Sequence, residues 1–206
     1  MNNFDLAYRP LVAGVSIVNG RVAEPGTLGF VAADEAGQRW IVSCYHVLCD
    51  AGLGPFQQSD AIYQPAAVAG SNLIAMTNAR RADANLDCAA ALVQPGIVCT
   101  SVQLGIGKTG AVAAPAQGMR VVKAGAESGI TEGRIAAVFG TSVTIEIDPA
   151  FPVEYQVSAP GDSGALWVEQ QSRSPVALHT GRTSARRAQA SAFADVLRAL
   201  GLAVPL

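Results

Sequence analysis

The pentapeptide Pro160-Gly161-Asp162-Ser163-Gly164 runs straight into the apolar stretch Ala165-Leu166-Trp167-Val168. A serine hydroxyl is a weak nucleophile until a base takes its proton, and the oxyanion formed when it attacks a carbonyl needs donors close by. Glycines on both sides of Asp162-Ser163 allow a sharp turn, in which the amides of Gly161 and Ser163 would form such an oxyanion hole. The same composition also makes ordinary structural turns, so the pentapeptide needs partners elsewhere in the chain.

Two residues upstream have the required chemistry. His46 lies in Trp40-Ile41-Val42-Ser43-Cys44-Tyr45-His46-Val47-Leu48, at the end of a strand-like run and ahead of a Gly-rich loop. A histidine at a strand end can project into a cleft, and imidazole titrates in the range a general base needs. The competing reading is a hydrogen-bonded core histidine. Asp87 lies in Asn85-Leu86-Asp87-Cys88-Ala89-Ala90-Ala91-Leu92, immediately before an apolar strand. A carboxylate there is costly unless paired, and the alternative is a solvated turn aspartate.

The rest of the chain fits an all-β protein. Of its 206 residues, 50% are hydrophobic and 15% charged, enough for a buried core and contrary to disorder. Short apolar runs at residues 11–18, 29–33, 40–43, 88–93, 119–122, 135–139, 143–147, 165–168 and 176–178 are each bounded by Gly, Pro, Asn, Asp or Ser, the pattern of strands between turns. A hairpin is expected with Val31 and Trp40 flanking a turn at residues 34–37. Gly125, Gly129 and Gly133 are expected to need positive φ. Only the end reads as a helix: Phe193, Val196, Leu197 and Leu200 share one face, with Ser191 as N-cap and Gly201 as stop. Pro95, Gly96, Gly105 and Gly107 soften the middle, which predicts two β-rich halves, 1–98 and 99–206.

The composition also excludes function classes. A net charge of −2 offers no electrostatic footprint for nucleic acid or an anionic membrane. No run approaches the ~18 apolar residues that span a bilayer. The N-terminal stretch lacks the basic leader and small-residue cleavage site of an export signal, so a cytoplasmic location is expected. Cys44, Cys49, Cys88 and Cys99 are then read as free, buried thiols in a reducing compartment. Their spacing is poor for structural zinc, and with only two histidines no metal or other cofactor is expected.

Gly26-Thr27-Leu28-Gly29-Phe30 and Ser43-Cys44-Tyr45-His46-Val47-Leu48 resemble the histidine region of chymotrypsin-like (trypsin-like) serine proteases. Asn85 to Ala90 resembles their aspartate segment and Pro160 to Gly164 their nucleophile loop, in the family's order His, Asp, Ser. Val122-Lys123-Ala124-Gly125, Ser128-Gly129-Ile130-Thr131 and Gly133-Arg134-Ile135 resemble a Gly/Thr-rich block in a bacterial branch of the family. The likeness runs from about Leu11 to the end of the chain.

The resemblance implies two six-stranded antiparallel β-barrels, the first carrying His46 and Asp87 and the second Ser163 and the C-terminal helix, with the site between them. It implies a serine endopeptidase in which Ser163 attacks, His46 shuttles the proton and Asp87 orients the imidazole, while the Gly161 and Ser163 amides hold the oxyanion. Asp83 is the rival for the third role. In trypsin an acidic residue six positions before the serine selects Lys or Arg; here that position is the neutral Val157. The segment from Val176 to Gly181, with Thr180 and Gly181, is expected to form the wall that binds a peptide or protein substrate by strand addition.

His179 is read as structural or pocket-lining, and Arg182, Arg186 and Arg187 as a basic cluster near the wall. Family members activated by cleavage pair a new N-terminal amine with the aspartate beside the serine. This chain has no obvious activation site, so Asp162 should find another partner, with constitutive folding or control by a regulatory protein partner. The competing readings are a catalytically inactive scaffold with the same fold and an esterase or other acyl transferase using the same serine.

Overall fold

The structure, a computed structural model, describes residues 3–21, 24–49, 60–66 and 72–205. The N-terminal half contains β1 (Leu11–Ala13), β2 (Ser16–Asn19), β3 (Gly26–Thr27), β4 (Phe30–Ala33), β5 (Arg39–Ser43), β6 (Ala61–Tyr63), β7 (Leu73–Asp83), β8 (Cys88–Val93), β9 (Cys99–Gln103) and β10 (Gly107–Lys108), with a helical turn α1 (Tyr45–Leu48) after β5. The C-terminal half contains β11 (Arg120–Gly125), β12 (Gly129–Phe139), β13 (Ser142–Glu146), β14 (Leu166–Glu169), β15 (Pro175–Ser184) and β16 (Arg187–Ala192), and ends in α2 (Phe193–Leu200).

The six C-terminal strands close into a barrel in the order β11-β12-β13-β16-β15-β14. The N-terminal strands form a seven-stranded sheet, β3-β2-β6-β7-β8-β5-β4, beside a small sheet β1-β9-β10. The larger sheet is strongly curled. Its two edges, β3 and β4, are joined only by Leu28-Gly29, and a two-residue link reaches about 11 Å at most. The edges must therefore nearly meet, giving a half-barrel against the closed second barrel. Parallel pairing of β9 with β1 (Leu11 opposite Cys99) ties residues 99–108 to the N-terminal strands, beyond the 98/99 division expected from sequence.

The strand expectations hold in outline, with three informative departures. The run at 11–18 is broken into β1 and β2 by Gly14 at φ +88°, where an added Cβ would lie 2.6 Å from Ala124 Cβ of the second barrel. The long strand β7 escapes a hydrophobicity reading because its second half, Asn78-Ala79-Arg80-Arg81-Ala82-Asp83, is mostly polar and none of it is fully buried. Of the three glycines expected at positive φ, only Gly129 is (φ +67°). Gly133 instead makes room for Ile145, and Gly125 for the carboxylate of Asp162.

The hairpin of β4 and β5 forms as expected, with Gly37 at φ +77° in its turn. Helix α2 buries Phe193, Val196, Leu197 and Leu200, and stops at Gly201, φ +62°. Its N-cap is Ala192 without a side-chain bond; Ser191, the residue expected there, stays in β16 and donates its hydroxyl to Leu86 O (2.8 Å). Although α2 follows the last strand of the second barrel, it packs into the N-terminal core, with Phe193 edge-on to Phe30 at 5.2 Å. Arg81 of β7 caps its C-terminus through the carbonyls of Leu200 (2.6 Å) and Gly201 (2.8 Å).

Candidate active site

Strand register brings the first two candidates together. β5 and β8 run antiparallel with Ser43 opposite Ala89, so continuing that register sets residues 45–46 beside 86–87. His46 sits on α1, one turn beyond β5, rather than at the strand end itself; the Gly-rich loop that follows lies outside the described residues. Asp87 closes a turn at φ +48°, a left-handed conformation that few non-glycine residues adopt. Its carboxylate meets the imidazole Nδ1 with both oxygens, at 2.8 Å (Oδ2) and 3.0 Å (Oδ1), and Oδ1 also accepts the His46 amide at 3.1 Å.

An acceptor at Nδ1 favours the tautomer with its proton there, leaving Nε2 as the free basic nitrogen. The His46 side chain is 45% exposed, so the ring is reachable from solvent. Asp83, the rival carboxylate, accepts the amides of Asn85 (2.9 Å) and Leu86 (3.0 Å) within its own turn.

Ser163 approaches from the other half of the molecule. The amide of Thr27 donates to Ser163 O (2.8 Å) and the Thr27 hydroxyl to Gly161 O (2.8 Å), so β3 carries one side of the loop. Gly164, at φ +92°, packs so closely on Ser43 and Thr27 that any Cβ there would overlap Ser43 Oγ and Thr27 O. The loop is thereby pressed against the strand that leads into His46. Around the turn, Asp162 N donates to Ala159 O (3.1 Å), Gly164 N to His179 O (2.8 Å) and Ala165 N to Asp162 O (2.9 Å). Among the described residues the amides of Gly161 and Ser163, the two expected in an oxyanion hole, donate to nothing. The Ser163 hydroxyl makes no hydrogen bond with His46 in this structure.

Asp162 has the partner that sequence reasoning asked for without naming. Lys123, in the middle of β11, reaches Asp162 Oδ2 with Nζ at 2.7 Å, and both side chains are 0% exposed. Ser128 Oγ donates to the same oxygen (2.5 Å), Ala159 N joins it (2.9 Å), and Glu127 N and Ser128 N take Oδ1 (3.1 and 3.0 Å). Burial alone would raise the carboxyl pKa; the Lys123 ammonium and the Ser128 donors outweigh it and hold Asp162 well below the ordinary carboxylate range. The signal for Lys123 was in the sequence: a lysine set between Val121-Val122 and Ala124-Gly125, in the apolar part of its strand, calls for a buried anion. No comparable signal marks Thr27 or Ser128.

The remaining candidates occupy varied environments. Val157 is fully buried in the second barrel's core, its amide bonded to Ala185 O (2.9 Å) and its carbonyl to Thr131 Oγ1 (2.9 Å). Thr180 and Gly181 lie half-exposed on β15, and nothing stands within 4 Å of where a Gly181 Cβ would be. His179 is buried, with Trp167 Nε1 donating to its Nδ1 (3.4 Å) and its Nε2 bonded to Ser158 Oγ at 2.7 Å. Burial first, then the nearby Lys123 charge, lowers its pKa to about 3, so it is a neutral structural imidazole.

Arg182, Arg186 and Arg187 do not act as one cluster. Arg187 pairs with Glu146, and Arg186 binds the carbonyls of Pro152 (2.9 Å) and Asp148 (3.4 Å). Cys44, His46 and Asp87 bring ligand-type atoms within 4.8 Å of one another. The Cys44 thiol, however, is pushed well up in pKa by burial and by Asp87 and donates to His179 O (3.1 Å), whereas a metal takes thiolate. All four cysteines are free.

No protein-family model matches the chain, and no curated protein matches it. Solved structures do. The chain superposes on Nocardiopsis protease (NAPase) with a TM-score of 0.71 at 15% identity, covering 95% of this chain and 98% of that one. On a chymotrypsin from Cellulomonas bogoriensis the TM-score is 0.67 at 14% identity, over 94% and 97%. A glutamic acid specific serine protease, described as using a histidine triad in substrate binding, gives 0.67 at 17% identity, over 94% and 100%. The chain thus has the chymotrypsin-like serine protease fold, matched by bacterial proteases over nearly its whole length.

Proposed function

We propose that this protein is a serine endopeptidase in which His46, Asp87 and Ser163 form the catalytic triad. The observation that carries the reading is the His46–Asp87 pair: an imidazole held at Nδ1 by both oxygens of a carboxylate 41 residues away, with its other nitrogen left to act as base. The unpaired amides of Gly161 and Ser163 support the same reading, because a strained glycine-flanked turn that leaves two donors unused has little structural purpose.

In the reaction His46 Nε2 takes the Ser163 proton as Oγ attacks the scissile carbonyl, and the Gly161 and Ser163 amides stabilise the resulting oxyanion. The imidazolium, steadied by Asp87, then protonates the leaving amine. Water repeats the sequence on the acyl-enzyme. The peptide lies along the exposed part of β15 near Thr180 and Gly181. Lys123, by holding Asp162, keeps the loop in one conformation without a new N-terminal amine, which favours constitutive folding over control by a partner. The free cysteines support a reducing compartment such as the cytoplasm.

A non-catalytic protein of the same fold is favoured by one observation, the missing hydrogen bond between Ser163 and His46. Such bonds are often long before substrate binds. A fluorophosphonate probe decides between them. Stoichiometric labelling, abolished by Ser163→Ala, is the expected result; well-folded protein that is never labelled would overturn the peptidase reading.

A further inference from the structure

The neutral Val157 leaves the choice of substrate residue to other groups, and the basic side chains near the wall are not equivalent. Arg187 is neutralised by Glu146 and Arg186 is occupied by carbonyls of the 148–152 loop. Arg182 differs from both. It follows Gly181 on β15, and its Nη1 reaches across to Ser158 O (3.0 Å) and Gln156 Oε1 (3.1 Å), in the segment that leads into the Ser163 loop. Both acceptors are uncharged. Among the described residues no carboxylate pairs with Arg182. Its Nε and Nη2 make no hydrogen bond, which leaves one edge of the guanidinium free. The open groove it borders, with Gln156, Thr183, Ser184 and Ala185, measures about 370 Å³.

We propose that Arg182 makes this site select peptides carrying aspartate or glutamate immediately before the bond to be cut; the inference rests on the peptidase reading above. A peptide strand running along Thr180–Arg182 places that side chain between β15 and the 156–158 segment, the two elements Arg182 bridges. The free Nε–Nη2 edge presents two parallel donors, which match the two oxygens of a carboxylate, while the fixed charge repels lysine and arginine. The Nη1 bonds hold the guanidinium in place before the ligand arrives.

Histidine cannot supply the charge here. The chain has two histidines, so no triad of them can be assembled. His46 is bonded to Asp87, and His179 is 1% exposed. Of the two lysines, Lys123 is buried against Asp162 and Lys108 lies on β10 of the N-terminal half, so the cation available to an acidic side chain is an arginine.

The test is a peptide series that varies only the residue before the scissile bond, as Glu, Asp, Gln, Leu or Lys. The acidic peptides should exceed the Gln and Leu peptides in kcat/KM by about tenfold or more, with Lys poorest. In Arg182→Gln, shown to be folded by circular dichroism, the Glu-to-Gln ratio should collapse towards one; in Arg182→Glu the Lys peptide should overtake the Glu peptide. A wild-type preference for Leu or Lys, or an Arg182→Gln protein that keeps the wild-type ratio, would overturn the proposal.

Labelling of Ser163 on the same preparations separates the two claims. Labelled enzyme with no acidic preference sinks the selectivity and spares the peptidase. If Ser163 is never labelled, the anisotropy of fluorescent Glu and Lys peptides on Ser163→Ala protein tests Arg182 alone. Tighter binding of the Glu peptide supports the role, and equal affinities overturn it.

Discussion

At the scale of single residues, the candidate site depends on where one carboxylate is aimed. Asp87 adopts φ +48° and spends three contacts on His46, two on the ring and one on the backbone. Asparagine has nearly the same shape but brings an N–H₂ group to Nδ1 or turns the ring to the wrong tautomer. Asp87→Asn should therefore reduce turnover on the order of 10⁴-fold while leaving folding intact. Asp83→Asn should change it little, since that carboxylate serves its own turn. Comparing kcat/KM for the two variants on one substrate checks the assignment; the reverse order of effects would transfer the role to Asp83. In the sequence Asp87, immediately before an apolar strand, came ahead of Asp83 for this role, yet a turn aspartate and a triad aspartate share much the same local pattern, and only the contact with His46 tells them apart.

Between elements, the decisive contact joins β11 to the nucleophile loop. Lys123 and Asp162 are both fully buried, and the carboxylate has four further donors around it. Replacing the lysine by methionine keeps most of the volume and leaves a buried, uncompensated carboxylate. Lys123→Met should cost about 3–5 kcal/mol in urea unfolding. It should also lower the fluorophosphonate reactivity of Ser163, since the loop would lose its anchor. Full stability in this variant would show that Ser128 and the backbone amides suffice for Asp162. The sequence reading asked for a partner for Asp162 but did not name Lys123. Only the pairing of β11 with β14, Val122 opposite Val168, brings the two segments side by side.

For the whole molecule, acid should be the main stress. His179 and Asp162 both have folded-state pKa values below their ordinary ones. At intermediate pH the unfolded chain therefore binds more protons, and stability falls as pH falls. The His179 contribution is present above its ordinary value of about 6.5 and is lost as pH drops towards about 3. That of Asp162 is lost below about 3.9. The thermal midpoint should hold near pH 7 and decline from pH 6 to pH 4, and His179→Gln should flatten that decline even if its midpoint is lower throughout. An unchanged slope would mean that His179 is reached by protons without unfolding.

By itself the sequence determined the all-β character, the existence of the β4–β5 hairpin, the apolar face of α2 and the three residue types of the candidate site. Each is written locally, in alternation, in turn residues or in a side chain's own chemistry. Tertiary structure decided which strands share a sheet, that polar β7 is a strand at all, and that α2 packs back onto the N-terminal core. It also decided that Ser163 is carried to the histidine strand by the fit of Gly164 against Ser43 and Thr27. Those outcomes depend on contacts between segments tens to more than a hundred residues apart, whose energy exists only once the chain has closed on itself.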